Sequence, residues 1–311
     1  MTKITSALLL SALLAFALHV SPAQAQLART FVSAATGNDA NDCNRPTPCR
    51  TFQVAHDKTF DQGEITVLDP GGYGALTISK SISIVNDGVG EAGMLVSGGA
   101  TGLEIAAPDG SYVNLRGITI QGIGFGGGVG LRFDRGFALT ITNCVFRNLT
   151  GDGIIFRPAT TSHLSVSNTL VADNGGNGIN IEPHAATITV NVAVNRVEMV
   201  HNSGFGLLAN GAFANGTVSV DVMASMAASN LSSGFAARSA NGHSIAFLEV
   251  ISSMSFGNGG FGFLADTVQT QITVGGSTVN ANAAGIASGS VQSYGDNYAQ
   301  GLAFPGHVGK T

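Results

Sequence analysis

The sequence predicts an all-β solenoid, a chain wound into about 8–10 stacked coils of parallel strands. Three observations predict it. Of 311 residues 43 are Gly and only 8 are Pro, with no period of three, so the glycines mark recurrent turns and not a collagen helix. From residue 100 onward a phrase recurs: an Asn, a few small residues, a Gly, then apolar-x-apolar. It reads Asn148…Gly153, Asn174…Gly178, Asn202…Gly206, Asn230…Gly234, Asn258…Gly262 and Asn282…Gly285, with Asn spacings of 26, 28, 28, 28 and 24. Gly102 and Gly130, 28 apart, join the same series. Each unit also carries a second run, such as Ile188-Thr-Val-Asn-Val or Val218-Ser-Val-Asp-Val, whose period-two alternation is strand chemistry.

A period in the twenties fits leucine-rich repeats or β-helices. Ile, Val, Leu, Phe and Met fill the apolar sites indifferently, so the leucine ladder of the first is missing and a parallel β-helix is expected. Coils stack about 4.8 Å apart and bury aligned apolar ladders that no single coil could bury alone. Phe133, Phe156, Phe235 and Phe263 are expected to point inward. The recurring Asn is expected in the left-handed turn between sheets, its amide bonded to the next along the axis.

At the N-terminus, residues 1–25 read as a cleavable secretory signal: Lys3, an apolar run from Ile4 to Val20, then Ala23-Gln-Ala25 as the cleavage site. A periplasmic or secreted protein is expected, with no membrane insertion once the signal is removed. Residues 26–85 form an N-terminal cap with the first coils. Cys43 and Cys49 flank a Pro-rich loop and are expected to form a local disulfide in an oxidising compartment, leaving Cys144 as a buried thiol. Arg50 to Thr59 has helical spacing, with Phe52, Ala55 and Thr59 on one face, suited to a lid over the first coil. Residues 86–300 supply the remaining coils and 301–311 a C-terminal tail.

The opening Phe31-Val-Ser…Gly37-Asn-Asp…Pro48-Cys-Arg-Thr-Phe52, then Gly63-Glu-Ile-Thr-Val-Leu-Asp-Pro-Gly-Gly-Tyr73 and Leu76-Thr-Ile-Ser, resembles the N-terminal cap of secreted right-handed parallel β-helix proteins of the pectin-lyase-like group. The Asn/Gly coils behind it do too. The resemblance implies a right-handed coil and a carbohydrate-related role. It does not specify an activity, since that fold carries lyases, hydrolases, epimerases and adhesins. The family's catalytic Arg-Ile-Lys, Asp-Asp and Asn-Thr-Asp signatures are missing.

Candidate functional residues fall in columns. Four residues past each Gly stand Ala106, Asp134, Arg157, Glu182, Asn210, Arg238 and Asp266, all expected outward on one sheet, with Arg132 and Glu104 beside them and His184 just beyond. Asp134 and Glu182, two rungs and roughly 9.6 Å apart, stand near the upper limit for an inverting glycosidase pair. Arg157 between them argues against catalysis, because a cation lowers the pKa of a would-be acid and carboxylates keep the arginine protonated. Asp134, Arg157 and Glu182 are thus the catalytic candidates, and Arg132, His184, Arg238 and Asp266 the ligand-binding ones.

The leading expectation is a monomeric binding or structural module that presents this face to a polysaccharide or cell-surface glycan. A polysaccharide lyase or glycoside hydrolase acting on a uronate polymer is the alternative, and an adhesin the second. A formal charge of −5 gives no basic footprint for nucleic acid. No cofactor is expected. The oxygen-rich Gly37-Asn-Asp-Ala-Asn-Asp42 permits Ca²⁺ but lacks the distal Glu of a dedicated loop, and His56, His163, His201 and His243 lack metal-ligand spacing.

Overall fold

The computed structural model describes residues 26–123, 126–185, 187–300, 304 and 306–307; the expected signal at 1–25 and most of the tail lie outside them. The chain is a right-handed parallel β-helix whose described strands form three parallel sheets of 12, 9 and 10 strands. Each coil visits them in one order. In one coil Ala138–Thr142 lies in the first sheet, Val145–Arg147 in the second and Ile154–Phe156 in the third, before the chain returns to the first at Ser162–Ser167.

Single residues in the left-handed conformation make the two sharp corners. Asn143, Asn168, Arg196, Ala224 and Ser252 turn the chain from the first sheet to the second. Asn148, Asp173, His201, Ser229 and Ala281 turn it out of the second. The repeated asparagines are therefore one residue past the turn and not in it, except Asn148. In that coil Leu149 takes the place after the turn, and its backbone N–H donates to Asn174 Oδ1 at 3.2 Å, so Leu149 begins the stacked column.

That column is an asparagine ladder inside the helix. Asn174, Asn202, Asn230 and Asn258 are at most 1% exposed. Each Nδ2 donates to the next Oδ1: 2.9 Å from Asn174 to Asn202, 3.0 Å to Asn230, 2.9 Å to Asn258 and 2.8 Å to Asn282. The second Nδ2 hydrogen reaches a backbone carbonyl of the preceding coil, as from Asn230 to Met199 O at 3.0 Å. Every polar atom of the amide is used, which is what a buried amide requires.

Apolar ladders fill most of the rest of the interior, beside a smaller buried column of Thr169, Ser225, Ser253 and Ser277. Phe133 and Phe156 stack with ring centroids 4.6 Å apart and Phe235 and Phe263 at 5.7 Å, all four fully buried. Burying one such ring contributes about 2–3 kcal/mol. At the N-terminus α1 (Phe52–Lys58) closes the stack, with the Thr51 hydroxyl accepting from the Val54 N–H at 3.4 Å. It buries Phe52, Ala55 and His56 against Leu27–Val32, Thr59–Val67 and Leu76–Ile78. Burial lowers the His56 pKa, and the Lys80 charge adds to this against the raising effect of Asp57. Cys43 and Cys49 are joined in a disulfide, and Cys144 is a buried free thiol whose pKa burial pushes up to about 11.

Candidate functional site

The third sheet is built from short strands, seven of the nine entered through a glycine, from Gly102 to Gly262. At Gly178 an added Cβ would lie 2.5 Å from Gly206 O, and at Gly206 one would lie 2.6 Å from Gly234 O. The glycines thus allow successive coils to close up where they enter the sheet. With entry fixed, every strand shows the same alternation, one set inward and one outward.

The outward residues fall in the expected register. Strand pairing aligns Arg132 with Ile155, Asn180, Leu208, Ala236 and Leu264, and carries the next outward column through Arg157, Glu182, Asn210, Arg238 and Asp266. One member departs. The register shifts between Phe133 and Arg135, so that Arg135 and not Asp134 pairs with Ala106; Asp134 occupies a bulge and Ala106 is outside the charged group.

The charged residues separate into three groups along the axis. In the first, Arg132 bridges Glu104 and Asp134, the latter at 2.9 Å, and Arg157 donates to the other oxygen of Asp134. Burial resists the Arg132 charge, but its hydrogen bonds to Glu104 and Asp134 outweigh this and raise its pKa further. In the second, Glu182 accepts from Asn180 Nδ2 at 3.0 Å and lies 3.8 Å from His184 Nε2. Asn180 Nδ2 also donates to Asp152 Oδ2 at 3.0 Å. Arg157 is therefore not shared between two carboxylates: among the described residues its ion pair is with Asp134, and none joins it to Glu182. The third group is Arg238 and Asp266, paired at 2.7 Å, three rungs beyond Arg157.

Between these groups the face turns apolar. Leu208 and Ala236 point outward yet are buried with Phe205, and Leu264 packs against them. Arg238 lies over the Phe205 ring at 5.1 Å. The loop after this sheet carries an aromatic feature with no counterpart in the column pattern. His184 stacks flat on Phe213, centroids 4.7 Å apart and 13° between planes, and the two border a cavity of about 310 Å³ that His243 also lines. Phe213 is 52% exposed, which leaves a ring face open to solvent. Phe213 and His243 were not legible as site residues, since they lie in loops between the repeated phrases.

The Ca²⁺ loop does not fit its ion. Asp39 accepts from the backbone N–H groups of Arg50 and Thr51, each at 2.9 Å, and the Lys58 ammonium donates to the carbonyls of Asp39 and Asn41. A side-chain cation already takes two of the carbonyl oxygens that a calcium ion in this loop would draw on. Among the described residues no three His, Cys, Asp or Glu are grouped to hold a metal.

The family described as the right handed beta helix region matches residues 55–219. A pectate lyase structure superimposes with a TM-score of 0.51 at 16% identity, covering 86% of this chain and 78% of that one. A rhamnogalacturonan lyase structure does so with a TM-score of 0.51 at 10% identity, covering 91% and 86%. At these identities the likeness is one of fold. No curated protein matches the sequence.

Proposed function

The chain belongs to the right-handed β-helix family, and from that premise we propose that it is a polysaccharide-binding module acting outside the cytoplasm, which presents the outer face of its third sheet and the adjoining His184–Phe213 platform to a glycan. One observation carries the reading. The guanidiniums of the column are taken up by carboxylates of the same face, Arg132 and Arg157 by Asp134 and Arg238 by Asp266, so these groups are engaged with one another and not held free for proton transfer to a substrate. The solvent-facing Phe213 ring, backed by His184, offers the flat apolar surface that a sugar ring stacks on. Side chains along the same face, Asn210 and Arg238 among them, supply donors for hydroxyls. The two lyase structures of the same fold, named for pectate and rhamnogalacturonan, support a glycan as the ligand class.

Glu182 favours a second reading, in which a lyase or hydrolase uses the carboxylate of the column that, among the described residues, no arginine engages. The two are separated by incubating the purified protein, with and without Ca²⁺, on a uronate panel and following the ultraviolet absorbance of unsaturated sugars, alongside a glycan array. Binding without absorbance is expected. Absorbance that rises with the wild type and not with Glu182→Gln overturns the binding reading. Phe213→Ala is expected to weaken glycan binding about tenfold with no change in melting temperature.

A further inference from the structure

The outer face of the first sheet is built differently. Strand register sets Tyr112, Ala138, His163, Asn191, Ser219 and Phe247 in one outward column. Beside it run Thr140, Ser165, Ala193, Asp221 and Glu249. The small side chains at Ala138, Ser165 and Ala193 leave a depression of about 290 Å³, which His163, Asn191 and Asp221 border. Its N-terminal end is aromatic. Tyr112 meets Phe137 edge-on at 5.3 Å, and Phe137 meets His163 at 4.9 Å. Phe247 stands exposed in the same column at the other end, five rungs from Tyr112, or about 24 Å.

The carboxylates at that end are the unusual feature. Asp221 and Glu249 lie directly opposite one another on adjacent strands. Like charges so placed oppose folding. Among the described residues neither has an ion-pair partner, whereas Glu104, Asp134 and Asp266 on the third sheet each have an arginine. Glu249 accepts from the Tyr294 hydroxyl at 3.0 Å, a hydrogen bond that orients it without neutralising it. Burial first, and then the Glu249 charge, push the Asp221 carboxyl up. Neighbouring rungs of the column carry Ala193 and Thr273, so nothing in the strand itself demands acids here.

We propose that this groove binds a glycan whose rings carry protonated amines, an amino-sugar chain laid along the axis, with rings on the exposed faces of Tyr112 and Phe247 and an ammonium between Asp221 and Glu249. Charge complementarity selects that occupant. A uronate chain meets two carboxylates and is repelled, while an ammonium removes their mutual repulsion and gains two charge-assisted hydrogen bonds. A divalent cation needs more oxygens than two carboxylates and a phenol supply. The groove is shallow and lined by amide and hydroxyl groups from Asn191, Ser219 and Thr140, which suits a chain rich in hydroxyls.

The proposal stands apart from the third-sheet reading and is tested apart from it. The folded protein is titrated calorimetrically at about pH 6, where amines are protonated and carboxylates ionised. The ligands are a hexamer of glucosamine, a hexamer of N-acetylglucosamine and hexagalacturonate. The glucosamine hexamer is expected to bind, and Asp221→Asn/Glu249→Gln to weaken it about tenfold or more, with a smaller loss for Phe247→Ala. All are surface substitutions, and a melting curve that is not lowered verifies the fold. No heat with the glucosamine hexamer overturns the proposal. So does equal affinity in the double variant, equal affinity for the acetylated hexamer, or loss on Phe213→Ala alone.

Discussion

The asparagine ladder and the arginine–carboxylate row are made by the same device. Both place side chains one above another on successive coils, a stagger of 28 residues at Asn202–Asn230 and at Arg132–Glu104. They differ in what surrounds them. The ladder is inside the helix, where water competes for none of its bonds and a missing partner leaves buried amides and carbonyls bare. The row is on the outer face, with Arg132 27% and Arg157 36% exposed, where solvent screens each pair. Stacking sets which residues meet; burial sets what the meeting is worth.

The largest effects that test this belong to the interior. Phe235→Ala removes a fully buried ring stacked on Phe263 and is expected to cost about 4 kcal/mol in denaturant unfolding. Asn230→Ala removes bonds in both directions: Asn202 Nδ2 loses its acceptor, and Met199 O and Asn258 Oδ1 lose a donor. A cost of about 3 kcal/mol is expected, and more than for Asn282→Ala at the half-exposed end of the ladder. If the two asparagine variants lose the same amount, burial is not what separates ladder from row. On the surface, Arg132→Gln breaks two ion pairs and is expected to cost about 1 kcal/mol, falling toward zero at about 1 M salt, while the ladder variants stay salt-insensitive.

The same contrast explains what could be read from the sequence. The solenoid, its inward Phe columns and the register of the third-sheet face were legible because coil length repeats and a strand alternates with period two. Two local features were not. The left-handed turn precedes the ladder asparagine and is taken by Asp173, His201, Ser229, Gly257 or Ala281 in successive coils, residue types that share no turn signature. The stacked coils impose that conformation, and Ala281 and Ala224 adopt it at a cost of about 1 kcal/mol each. Counting from each Gly also assumes constant strand length, which the bulge at Asp134 breaks. The groove on the first sheet was hidden for a simpler reason: its columns are counted from strands that carry no repeated Gly, and its aromatic rim joins residues from different coils.

The smallest effect expected has the sharpest sign. Asp221 sits opposite Glu249 with no cation paired to either among the described residues, so its ionised form is disfavoured in the folded chain, by burial first and then by Glu249, and its pKa is raised from the ordinary value of 3.8. A carboxyl with a raised pKa binds its proton more tightly folded than unfolded. Below the unfolded value both states are protonated and the site is neutral in effect; as pH rises through the folded value, the ionised carboxylate becomes a penalty that unfolding relieves. Asp221→Asn is therefore expected to stabilise the protein, by about 0.5 kcal/mol at neutral pH given the exposure of the pair, and by nothing near about pH 3. Parallel urea titrations at the two pH values read the difference. Arg132→Gln, in a row whose carboxylates are paired, carries the opposite sign at neutral pH. A stabilising Asp221→Asn beside a destabilising Arg132→Gln distinguishes a face whose charges hold each other from one whose charges are left for something else to meet.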